Sequence, residues 1–127
     1  MGSPIVFVVS ADAAVSDSIK ALVESAGLPA ETFRSLQMFL DAVEPVRRGC
    51  LVLDAHIRDF RDPHWQVDLA AAYNRMPGLL ITDRGDVPTA VRAVKAGAVD
   101  VVQKPYREQN LLDAIIAVLQ ADAAAQS

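Results

Sequence analysis

The 127-residue sequence predicts an α/β three-layer sandwich, a single domain with a parallel sheet between two layers of helices. Three observations predict it. Short β-branched runs recur at Ile5 to Val9, Leu51 to Leu53, Leu79 to Ile81 and Val99 to Val102. Each is apolar without alternation, as strands buried on both faces are. Between them lie segments whose apolar residues return at helical spacing, and the joints carry the residues that start and stop helices.

Taken in order, the run Ile5 to Val9 is the first strand, followed by Ser10, Ala11 and Asp12. The first helix then places Val15, Ile19, Leu22, Val23 and Ala26 on one face, and Gly27 supplies its stop. A weaker strand over Glu31 to Arg34 and a helix over Leu36 to Val43 precede Pro45. The third strand ends at Asp54 and leads into a polar loop from Ile57 to Asp62, with Pro63, His64 and Trp65 beyond it. Trp65 is expected as a core or half-buried residue of the third helix. The fourth strand ends at Thr82, and Asp86 with Pro88 opens the fourth helix. After the fifth strand and Lys104, Pro105 and Tyr106, the last helix is expected to present Leu112, Ile115, Ile116 and Leu119 together. The small, polar segment 121–127 is expected to be a frayed end or the start of a linker, leaving 4–120 as the domain.

Composition narrows the function. A formal net charge of −4 with interspersed signs argues against direct nucleic-acid binding. The apolar runs are too short to cross a bilayer, and no charged start followed by an apolar signal core opens the chain. The lone Cys50, beside Leu51 to Leu53, is expected to be a packed core thiol, and a reducing cytoplasm suits it. His56 and His64, without a carboxylate partner at ligand spacing, read as loop residues rather than metal ligands.

In an open parallel sheet, ligand chemistry collects beyond the carboxyl ends of the strands. Here those ends carry Ser10, Ala11 and Asp12, then Asp54, Thr82 and Lys104 with Pro105. Each has an ordinary explanation as a helix cap or a solvated charge, and Asp12 in particular reads as the cap of the first helix. A cap, however, needs no partner two strands away, so the coincidence of carboxylate, hydroxyl and ammonium points to a site. Arg84, two positions after Thr82, is either a rim cation for Asp54 or phosphate, or a solvated arginine satisfied by Asp83. A haloacid-dehalogenase-like phosphatase would need Asp-x-Asp after the first strand, and a flavin site a phosphate-cradling loop. The sequence has neither.

The stretches GCLVLDA around Asp54, LLITDRGDVPTAVRAVKAGAVD from Leu79 to Asp100, and VVQKPY from Val101 to Tyr106 carry a resemblance. Over about residues 4 to 120 the chain resembles the receiver domain of bacterial two-component response regulators, especially the nitrogen-fixation regulator type. The resemblance implies a flavodoxin-like sandwich with strand order 2-1-3-4-5 and five flanking helices. It implies that Asp54 holds the phosphoacceptor position and that Thr82 and Lys104 hold the phosphate-contact positions. Tyr106 matches the aromatic that moves inward on activation, and His56 and Arg84 lie on the rim.

The chain departs from the pattern at Ser10 and Ala11, where the family carries an acidic pair that binds magnesium. With one carboxylate, Asp54, against one ammonium, Lys104, the expected pocket is neutral, and Asp12 is the remaining acidic candidate. The loop after Asp54 also lacks the family's Met-Pro-x-x-x-Gly spacing. Magnesium takes oxygen ligands and needs anionic charge to hold it, so no cofactor is expected. Two readings follow. The first is a degenerate, metal-independent receiver that is not an enzyme and acts as a protein-interaction module. The second is a working phosphoacceptor modified on Asp54 by a histidine kinase, with Mg2+. The partners expected are a histidine kinase or another signalling protein. An interaction surface, giving a homodimer or a docking site for a partner, is also expected on the fourth helix, fifth strand and fifth helix, a face read as alternating charges at Arg92, Lys95, Asp100, Arg107 and Glu108.

Overall fold

The computed structural model describes residues 4–44 and 48–126, so Pro45, expected beyond the second helix, and the final Ser127 lie outside it. The elements run β1 (Ile5–Val9), α1 (Ala13–Ser25), β2 (Ala30–Phe33), α2 (Leu36–Ala42), β3 (Gly49–Asp54) and a 3-10 helix (Ile57–Arg61). They continue through α3 (Pro63–Arg75), β4 (Gly78–Thr82), α4 (Val87–Ala96), β5 (Asp100–Gln103) and α5 (Glu108–Gln126). The five strands are all parallel in the order 2-1-3-4-5, the flavodoxin-like sheet expected.

The central strands β1, β3 and β4 are apolar along their length because helices cover both faces. On one side Val6, Val8, Cys50, Val52, Leu79 and Ile81 meet Ile19 and Val23 of α1 and Leu111, Ile115 and Val118 of α5. On the other, Phe7, Leu51, Leu53 and Leu80 meet α2, α3 and α4, with Phe39, Leu69, Tyr73 and Ala93 at the contact. The Phe7, Phe33 and Phe39 rings pack together beneath α2, with Phe7 and Phe39 edge to face at 5.7 Å. Helix signals in the sequence act where they stand. Asp12 accepts from the N–H groups of Ala14 and Val15, and Ser35 from Met38. Past α1, Gly27 takes φ +82, and α4 ends on Gly97 at φ +116, a left-handed turn that a side chain would strain.

Four expectations shift. β2 begins one residue earlier than expected, at Ala30, and its burial is partial because it forms the sheet edge. In α5 the fully buried positions are Leu111, Ile115 and Val118, while Leu112, Ile116 and Leu119 are half-buried. That helix is apolar around most of its circumference between Leu111 and Leu119, so packing on the sheet, not periodicity, selects the face. α5 also continues to Gln126 across the segment expected to be frayed or linker-like, as the helix-favouring alanines at 121 and 123–125 permit. Ala26, expected on the buried face of α1, is its exposed C-cap.

Candidate functional site

The register brings the strand ends level. Val9 pairs with Leu53, Asp54 with Ile81, and Thr82 with Gln103. The residues that follow therefore share one end of the sheet, at the crevice where strand order reverses between β1 and β3.

Asp54 is the centre. Its carboxylate is almost enclosed, with the side chain 4% exposed, and both oxygens are engaged. Lys104 donates from Nζ to Oδ1 at 2.7 Å, and Ser10 donates from Oγ to Oδ2 at 2.9 Å. Ser10 is itself buried and accepts from the Asp12 N–H at 3.1 Å, which fixes the hydroxyl against the turn into α1. A carboxylate so enclosed needs a counter-charge and hydrogen bonds, and it has both. The Lys104–Pro105 peptide bond, which follows β5, is cis.

Thr82 is fully buried, and its Oγ1 has no hydrogen-bond partner among the described residues. Such a hydroxyl is an exception in folded proteins. Below it, Asp86 caps α4, taking the Thr89 hydroxyl at 2.6 Å and the Thr89 N–H at 3.1 Å. The Thr89 hydroxyl bond is the chief cause holding the Asp86 carboxyl below its ordinary value, and the Thr82 hydroxyl adds a smaller lowering without reaching hydrogen-bond distance. Tyr106 is half-buried against the α1/α5 core, and burial raises its phenol above the ordinary value, assisted by the Asp54 charge and opposed by Lys104.

On the rim, His56 Nδ1 lies 2.9 Å from Asp83 Oδ2, tying the loop after β3 to the loop after β4. Asp83 thus pairs with His56 rather than with Arg84, which is exposed. The Asp59 carboxylate accepts from the His56 N–H at 2.8 Å and organises the 3-10 turn. Trp65 sits on α3, half-buried as expected, with its ring edge to face on Phe60 at 4.7 Å. Asp12 is exposed and serves as the α1 cap.

The structure thus brings together Ser10, Asp54 and Lys104, with Thr82 at the adjoining strand end, and leaves Arg84 outside. Two residues that sequence reasoning passed over line the same cleft, Arg34 beyond β2 and Arg58 in the 3-10 turn. Arg34 follows the weakest strand and Arg58 lies in a loop without a motif, so only the strand order reveals that both line this cleft. Among the described residues, no group of three or more His, Cys, Asp or Glu side chains is placed to hold a metal ion.

Residues 6–116 match the response regulator receiver domain, and the chain belongs to that family. Nodulation protein W of Bradyrhizobium diazoefficiens is 40% identical over 118 residues, covering 93% of this chain and 52% of that protein. The chain accordingly spans about half the length of the curated relatives it matches. Among solved structures, the response regulator StyR superposes with TM-score 0.80 at 41% identity, covering 98% of this chain and 63% of that one. The FixJ-N crystal structure superposes with TM-score 0.78 at 30% identity, covering 94% and 96% respectively. Receiver domains work with histidine kinases and other signalling proteins in two-component systems.

Proposed function

We propose that this domain is a metal-independent receiver, a module that signals by protein contact and carries Asp54 as a structural carboxylate rather than as a routinely phosphorylated one. The supporting observation is the state of Asp54: enclosed, with one oxygen on Lys104 and the other on Ser10. In the family pattern, acidic residues stand at the positions of Ser10 and Ala11. Here a hydroxyl that donates to Asp54 and a methyl occupy them. The donor set therefore does not fit a hard divalent cation, which requires several anionic oxygens. Asp12 does not supply the deficit, because its carboxylate caps α1.

Phosphoryl transfer to a carboxylate brings two anions together, and a bridging metal offsets several kcal/mol of that repulsion. Each 1.36 kcal/mol lost is a tenfold loss in rate. On this reading the domain is not an enzyme and needs no cofactor. It resides in the cytoplasm, in keeping with a buried free thiol and with no described helix long and apolar enough to cross a membrane. Its net negative charge argues against direct nucleic-acid binding by this domain.

A second reading, a working phosphoacceptor served by a histidine kinase, draws on Thr82 and Lys104 standing where the family pattern requires them. Acetyl phosphate with magnesium separates the two on a phosphate-affinity gel. Most of the chain is expected to stay unmodified, and the Ser10→Asp/Ala11→Asp double variant is expected to gain modification. Stoichiometric labelling of the unaltered chain that disappears in Asp54→Asn contradicts the proposal.

The contact surface we assign is the face of α4 and β5, for pairing with a second copy. The charges expected there are interleaved with an apolar stripe. Val87, Val91 and Val94 lie on one side of α4 at 59%, 46% and 58% exposed, and Val99 continues the stripe at 60%. Arg92 folds away from it over the Phe60 ring, at 5.5 Å.

A further inference from the structure

On the side of the sheet away from α1 and α5, a groove of about 470 Å3 lies between α3 and α4 beside the 3-10 turn. Its lining is Phe60, Gln66, Leu69, Arg92, Lys95 and Ala96. The floor is apolar and held in place: Phe60 and Leu69 are buried, and the Phe60 ring packs edge to face on Trp65 at 4.7 Å. The charge is of one sign. Arg92 and Lys95 stand one turn apart on α4, a spacing that puts both on one side of the helix, and neither forms an ion pair among the described residues. Among the described residues no Asp or Glu lines the groove, and α4 contains none. Asp59 and Asp68, next in the chain to Phe60 and Leu69, are not on the lining, and Asp59 lines the strand-end cleft instead. Arg92 lies over the Phe60 ring at 5.5 Å, which positions the guanidinium and leaves its in-plane N–H groups for an acceptor. Gln66 gives its side-chain nitrogen to the Phe60 carbonyl, so its side-chain oxygen remains to accept.

We propose that this groove docks an acidic segment of a partner protein, an apolar side chain of the segment resting on Phe60 and Leu69 and its carboxylates meeting Arg92 and Lys95. Charge complementarity selects the occupant, because the lining offers two cations without a carboxylate to neutralise them. A guanidinium takes both oxygens of one carboxylate, and the ammonium one turn along takes a second. Acidic residues spaced a helical turn around an apolar one therefore match the lining. Gln66, Arg92 and Lys95 are exposed, so the groove does not enclose a small molecule, whose sites cover most of its surface. A protein segment brings the further contact area that an open groove requires. A nucleic acid needs a wider basic surface than two cations on a domain of net charge −4. The groove is on the α3 side of α4, so it depends neither on pairing through the valines nor on the state of Asp54.

An amide NMR titration of the isotope-labelled chain tests the proposal. The probe is a short, N-acetylated helical peptide carrying one phenylalanine with glutamates one turn away on each side, compared with its glutamine-for-glutamate counterpart. Saturable shifts are expected at the 3-10 turn and the facing parts of α3 and α4, with the glutamine peptide binding several-fold more weakly. Arg92→Gln and Lys95→Gln should each weaken the acidic peptide about two- to fivefold, the scale of an exposed ion pair. Arg84→Gln, which removes an exposed charge outside the groove, should leave binding unchanged. Urea midpoints establish that the variants fold, and Lys95→Gln keeps the test open even if Arg92 supports Phe60. Absence of saturable shifts overturns the proposal, as do shifts confined to other elements, equal binding of the glutamine peptide, or equal weakening by Arg84→Gln. Free glutamate that reproduces the shifts, or an oligothymidylate that binds more tightly than the peptide, overturns the protein-segment assignment. Movement of the same amides when the free chain is diluted makes the occupant a second copy and overturns the partner.

Discussion

At the scale of single residues, the site is a neutral trio. Lys104 matches the charge of the Asp54 carboxylate and Ser10 takes its second oxygen, and the proposal that the domain works without a metal rests on that pairing. The sequence made half of this legible. It showed that Asp54 and Lys104 occupy matching strand ends and that Ser10 and Ala11 are not acidic. It did not show that Ser10 turns its hydroxyl onto Asp54, because that bond spans 44 positions and depends on the β1/β3 register. Cys50 was legible from its apolar neighbours, and it carries a prediction of its own. Burial pushes its thiol from an ordinary 9.0 up to about 12. The folded state therefore keeps a proton that the unfolded state releases, so the thiol's contribution is complete below pH 9 and fades as pH rises toward 12. The Tyr73 phenol, also raised by burial, acts in the same direction at higher pH. Urea midpoints measured from about pH 8 to about pH 11 should fall less steeply for Cys50→Ala than for the unaltered chain. Equal slopes contradict the buried-thiol account.

At the scale of elements, what could be read in advance was what local chemistry decides. Asp12, Ser35 and Asp86 cap the helices they precede, and the apolar runs became strands. What could not be read was orientation around a nearly uniform cylinder, as in α5, and the valine stripe of α4, masked in the sequence by the charges between its members. The α4 cap gives a quantitative test. Asp86→Ala removes the acceptor for the Thr89 N–H and hydroxyl, and it should cost about 1 kcal/mol near neutral pH, with Asp86→Asn retaining most of the stability. The carboxyl titrates below its ordinary 3.8 in the folded state, so its contribution is present above that value and disappears as pH falls through the lowered one. Chemical denaturation of the two variants at neutral and acid pH checks both the size and the direction. A cost for Asp86→Ala that grows with acid contradicts the cap.

At the scale of the whole molecule, the domain keeps the family's parallel sheet with Asp54, Thr82 and Lys104 at its strand ends, and the proposal is that the charge there differs from the family pattern. The fold was legible because it follows from the order of apolar runs. The cleft arginines were not, because Arg34 and Arg58 come to line one cleft only after β2 is placed beside β1 and the 3-10 turn after β3. If the valine face is a constitutive contact, sedimentation equilibrium at micromolar concentration should show a dimer unaffected by acetyl phosphate. Val91→Asp should dissociate it, because the introduced charge is desolvated at the interface. A monomer throughout, or a dimer formed only with the phosphodonor, contradicts constitutive pairing. The central claim is that a receiver with Asp54 bound to Ser10 and Lys104 has no working metal site. Magnesium titration followed by the fluorescence of Trp65, which lines the cleft beside Asp54, tests it most directly. The expected result is a flat response through the millimolar range, with a saturable transition appearing only in the Ser10→Asp/Ala11→Asp variant. A saturable millimolar transition in the unaltered chain that is lost in Asp54→Asn would contradict it.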